Sequence, residues 1–125
     1  MSALDPGVVA GVGLAGGLGA ALRYVVDTVV RRVAPGYPLG TLVINTTGAF
    51  LLGLVTGLVA DGHLGPHVAT VLGTGLLGGY TTFSTASVEA LVLLEERRPW
   101  AALVHAGGML ALGLAAAAAG WWLAA

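Results

Sequence analysis

Long apolar stretches, cut by a few clusters of polar and charged residues, set the pattern of this chain. The first stretch runs from about Gly7 to Val30, the second from Leu39 to Ala60, the third from about Pro66 to Leu94 and the fourth from Trp100 to the C-terminus at 124–125. About 20 apolar residues cross a bilayer as a helix, so the pattern predicts an all-α membrane protein of four transmembrane helices in one domain covering residues 1–125. The turn signal Pro35-Gly36-Tyr37-Pro38, the cluster Asp61-Gly62-His63 and the run Glu95-Glu96-Arg97-Arg98-Pro99 separate the spans. Trp121 and Trp122 suit a membrane–water interface. Met1 to Asp5 has no basic residue, which speaks against a signal peptide.

Composition sharpens the assignment. Of 125 residues 57% are hydrophobic and 9% charged, against about 25% charged in an average soluble domain. Too few ionised side chains exist to cover a soluble globule, and a separate catalytic domain has no room, so no enzyme is expected. A net charge of −1 provides no basic surface for nucleic acid. Zero cysteines exclude disulfides, thiol nucleophiles and Cys-based metal sites.

Arg31 and Arg32 lie between spans one and two, and Arg97 and Arg98 between spans three and four, whereas the opposite side carries no Lys or Arg. By the positive-inside tendency these two loops face the cytoplasm and both termini lie outside, with Arg23 in the inner half of span one. Arg23 is the clearest intramembrane cation, and an i,i+4 pair with Asp27 is the simplest account of it. Glu89 is expected near enough to the inner interface to be solvated. His67 and His105 lack a second ligand at metal-binding spacing.

Two segments carry candidate chemistry. In span two, Gly53 and Gly57 have the spacing that lets helix backbones approach closely. Asn45 must find a partner or line a wet cavity, because an unpaired amide in hydrocarbon is costly, and its residue type leaves both roles open. In span three, Gly78-Gly79 followed by Tyr80, Thr81 and Thr82 predicts a break near mid-span. A break at membrane depth frees backbone groups that must be buried, face water or hold an ion. Five hydroxyls between Thr81 and Ser87 suggest a polar track, against the plain alternative of bonds back to the preceding helical turn.

The strings Gly16-Gly17-Leu18-Gly19-Ala20-Ala21-Leu22-Arg23-Tyr24, Pro38-Leu39-Gly40-Thr41-Leu42-Val43-Ile44-Asn45 with Gly48-Ala49-Phe50, and Gly78-Gly79-Tyr80-Thr81-Thr82-Phe83-Ser84-Thr85 closely resemble the CrcB (Fluc) family of fluoride channels. The resemblance implies a small four-helix protein that pairs as an antiparallel dimer in the cell membrane and passes fluoride passively through narrow pores. It further implies a structural Na⁺ held by the backbone carbonyls of Gly78 and Thr81. Asn45, Phe83, Ser84 and Thr85 fall on the family's anion path, and Arg23 is a structural charge. Two positions depart from the family's pattern: Ala86 replaces a second phenylalanine, and His105 and Met109 replace a Tyr-x-x-x-Ser pattern. The charge bias, with the antiparallel geometry that the resemblance implies, points to a heterodimer with an oppositely oriented paralogue. The alternatives are a cation/proton antiporter of small multidrug-resistance type, disfavoured because no acidic residue lies between Gly7 and Leu22, and a non-conducting assembly partner of a channel.

Overall fold

The computed structural model describes residues 5–124; the leader expectation on Met1 to Leu4 lies outside them. The elements run α1 (Pro6–Val33), α2 (Leu39–Ala60), α3 (Pro66–Thr70), a π-helical segment (Val71–Leu77), α4 (Gly78–Tyr80), α5 (Ser84–Glu95) and α6 (Pro99–Ala124). Among them α1, α2 and α6 are long and apolar enough to cross a membrane as single helices. The third membrane segment, 66–95, is assembled from shorter pieces.

Local chemistry accounts for the ends. Asp5 caps α1 by accepting the Gly7 and Val8 N–H groups at 2.9 and 3.3 Å. This helix continues past Val30 to Val33, so Arg31 and Arg32 lie in its last turn, where cations complement the helix dipole, rather than in a connecting loop. Two reversed backbone bonds around Gly62 (φ 76°) close α2, and the same two-bond closure ends α5 around Arg97 (φ 58°).

Glycine decides how closely the helices pack. A Cβ on Gly53 would collide with the Ala117 carbonyl, one on Gly120 with the Phe50 carbonyl, and one on Gly57 would crowd Ala124 and Trp121, so α2 and α6 lie backbone to backbone. In the same way Gly19 approaches the Leu76 carbonyl and Gly79 the Gly16 carbonyl, which seats α1 on the π-helical segment and α4.

The break falls later than the glycines suggest. Gly78 and Gly79 remain helical, and the non-helical residues are 81–83, with Thr81 extended at φ −81°, ψ 160°. The glycines serve contact with α1; the threonines make the turn. Among the described residues, the backbone of the portion before the break lies against α1 and α2 rather than α6, whereas that of α5 lies against α6 and α2 rather than α1. The break thus transfers one membrane segment from the α1 side of the bundle to the α6 side.

Candidate functional site

A groove of about 800 Å³ opens where the break meets α2, α5 and α6. Asn45 projects from α2 onto the break. Its Nδ2 donates to the Thr82 carbonyl at 2.7 Å, and its Oδ1 accepts the Thr82 N–H at 2.9 Å. The side-chain amide therefore pairs with one peptide unit as another strand would, satisfying both backbone groups of Thr82. Nδ2 also points at Met109 Sδ, 3.2 Å away on α6. Asn45 is half-buried and lines the groove, and its amide has the partners that a place in hydrocarbon requires.

The Gly78 and Thr81 carbonyls sit beside this clip. In an unbroken helix the Gly78 carbonyl would accept the Thr82 N–H, which Asn45 has taken instead. No backbone N–H bonds either carbonyl among the described residues. Both residues line the groove. Neutral carbonyl oxygens of this kind suit a hard cation rather than a soft metal. No cluster of three acidic or histidine side chains is present among the described residues.

Phe83 also borders the groove, and it is 86% exposed. Little within this chain covers its ring. Ser84 and Thr85 lie on the exposed side of the α5 start and do not line the groove. Their hydroxyls gather around Thr82 Oγ1, at 3.4 and 3.2 Å, and Thr82 Oγ1 also accepts the Thr85 N–H, capping α5 from two residues before its first turn. Thr81 and Ser87 bond back to the Leu77 and Phe83 carbonyls. The hydroxyl run therefore divides, with two residues following the plain alternative and three forming a polar cluster. Ser87 lines the groove beside Phe83; its i,i+4 spacing was the available signal. Ala86, at the first departure from the family pattern, lines the same wall.

Two charged residues behave differently from expectation. Asp27 pairs with Arg31, Nε to Oδ2 at 2.9 Å, and not with Arg23. Both arginines stand four residues away, but an acid N-terminal to its base is the better helical order, and Arg31 lies nearer the helix end. Arg23 is half-buried and forms no ion pair among the described residues. Glu89 is not solvated: its side chain is 15% exposed, and Oε1 lies 3.6 Å from Nε2 of the fully buried His105. α5 turns Glu89 towards α6, a direction set by the break.

Residues 10–121 match the profile of the family described as CrcB-like protein, Camphor Resistance (CrcB). The chain is 53% identical over 121 residues to a Leifsonia xyli subsp. xyli protein named Fluoride-specific ion channel FluC 1, covering 96% of this chain and 88% of that one. It is 45% identical over 124 residues to Fluoride-specific ion channel FluC 2 of Mycobacterium tuberculosis, covering 98% and 95%. A Paracoccus denitrificans protein named Fluoride-specific ion channel FluC is 43% identical over 109 residues, covering 87% of each chain.

Proposed function

The chain belongs to the CrcB family, and on that premise we propose that it is the subunit of a fluoride-specific channel through which the ion leaves the cytoplasm passively, lowering its toxicity. The observation that carries the reading is the broken third segment, clipped by Asn45 and open to a groove that Phe83 borders. Such a wall holds an anion lightly: amide and hydroxyl dipoles and the positive edge of an aromatic ring replace hydration without a fixed cation. Asn45 and Phe83 line the path in this reading, and Ser84 and Thr85 extend it along their exposed face.

The working unit is an antiparallel dimer. Phe83 presents its ring outward, and a second copy across a two-fold axis would cover it. The Gly78 and Thr81 carbonyls of one chain are too few to surround a cation, and a two-fold partner would present the same pair again. These residues fit a Na⁺ held structurally between subunits, where it would offset the partial negative charge of the freed carbonyls.

The partner is an oppositely oriented paralogue. Four arginines against none support an orientation with both termini of this chain outside the plasma membrane, and in this reading its mate carries the opposite bias. The numbering of relatives as FluC 1 and FluC 2 fits organisms that hold more than one such chain.

The test is efflux from liposomes loaded with fluoride or chloride, with this chain alone and with the paralogue. Selective fluoride release is expected. Equal chloride flux, or release that requires an opposing proton gradient, would overturn the reading.

A further inference from the structure

His105 and Glu89 have no part in the clip or in the freed carbonyls, yet among the described residues they form a deeply buried pair of titratable side chains. The His105 side chain is 0% exposed, and both of its ring nitrogens lack a hydrogen-bond partner, as does Glu89 Oε1. His105 lines the groove; Glu89 lies behind it, at 3.6 Å. On its other side, the ring meets the edge of Tyr37, centroids 5.8 Å apart at 81°. α2 contributes no titratable side chain, α6 no other, and the backbone of α1 does not lie against α6 among the described residues. Among the described residues, Glu89 and Tyr37 are the ionisable side chains set against His105; Glu95, the other acid of α5, ends that helix exposed.

Burial makes an unpaired charge at this depth expensive, and His105 is the side chain placed to offset a charge on Glu89. We infer that His105 and Glu89 act as one electrostatic unit, and that His105 thereby screens the Glu89 carboxylate from anions passing along the groove. This rests on the channel reading above. Without the histidine, the same wall would present a bare carboxylate to an anion path. His105 is a charge-positioning residue in this scheme, and its effect on flux is exerted through Glu89.

That dependence makes the inference testable by a double-mutant cycle. Fluoride efflux is measured near neutral pH from liposomes containing the wild-type assembly, Glu89→Gln, His105→Gln and the double variant. His105→Gln is expected to slow efflux by about tenfold. Adding Glu89→Gln should restore it to within about twofold of Glu89→Gln alone. A His105→Gln variant as fast as wild type, or a double variant as slow as the single one, overturns the inference. A loss caused only by disturbed packing of the histidine would not be rescued at Glu89.

A second measurement does not need conduction. In protein labelled with ¹⁵N-histidine, the signals of His63, His67 and His105 are compared between wild type and Glu89→Gln at one neutral pH. One of the three signals is expected to move; three unchanged signals refute the pairing, even if His105→Gln fails to fold. Absence of fluoride flux from the wild type would instead remove the channel reading while leaving the pair to be judged by this comparison.

Discussion

The side-chain amide of Asn45 grips the peptide unit of Thr82 through both its oxygen and its nitrogen, at 2.9 and 2.7 Å. A helix break at membrane depth is stable only if its backbone groups are paired, and this contact pairs both at once. Asn45→Ala is expected to leave the Thr82 N–H and carbonyl without partners, at about 1–3 kcal/mol for each group. The thermal midpoint of the purified protein should fall, and fluoride efflux with it. An unchanged midpoint would mean that the break does not depend on this clip.

Phe83 contributes little to the fold of the single chain, since it is 86% exposed. Phe83→Leu should leave the helical content and the unfolding of the chain unaltered while slowing fluoride efflux about tenfold or more. Efflux at the wild-type rate would remove Phe83 from the anion path.

Gly78 offers a test of the proposed ion and partner. A Cβ there would meet nothing nearer than the Gly73 carbonyl at 3.8 Å, an ordinary contact, so Gly78→Ala fits within this chain. If efflux or dimer formation is nevertheless lost in Gly78→Ala while Thr81→Ser is mild, the affected surface lies between subunits, where the carbonyls would hold Na⁺. Full activity of Gly78→Ala, together with indifference to replacing Na⁺ by a bulky organic cation, would argue against that site.

The α2–α6 contact predicts a sharper contrast. Gly53→Val drives side-chain atoms into the Ala117 backbone and is expected to cost about 1–3 kcal/mol or to block folding. Gly13→Ala meets nothing within 4 Å and should be neutral or stabilising, since alanine exceeds glycine in helix propensity by about 1 kcal/mol. Expression and thermal midpoints of the two variants check this; similar behaviour would contradict the backbone contact.

Arg97 occupies a left-handed position, φ 58°, at the end of α5, where the equivalent residue after α2 is Gly62. Arg97→Gly is expected to stabilise the helix end by up to about 1 kcal/mol by removing the Cβ conflict. It also removes one of the four arginines that bias orientation. A tag at the C-terminus should then show a larger fraction of molecules facing inward; a stability gain with unchanged topology would show that three arginines suffice.

Much of this architecture was legible along the chain. Length and apolarity determine three uninterrupted membrane helices and a fourth segment weakened near its middle, because a bilayer demands about 20 apolar residues per span and internally paired backbone. Charge number and position are likewise properties of sequence. The glycine spacing of Gly53 and Gly57 announces close packing, since only missing side chains let two helix axes approach so far.

Tertiary structure decided which groups meet. Gly78 and Gly79 look like the break but are held helical against α1, and the break moves to 81–83, where Asn45 takes the Thr82 N–H out of the helical ladder. Asp27 had two arginines at equal spacing, and helix-end geometry selected Arg31. Glu89 reads as a solvated acid near a loop, yet the redirected α5 turns it onto His105. Each of these depends on partners 16 or more residues away or on a choice between equivalent neighbours. Local propensity carries no information on such choices; they are settled by which pairing leaves fewest polar groups stranded in a medium that cannot hydrate them.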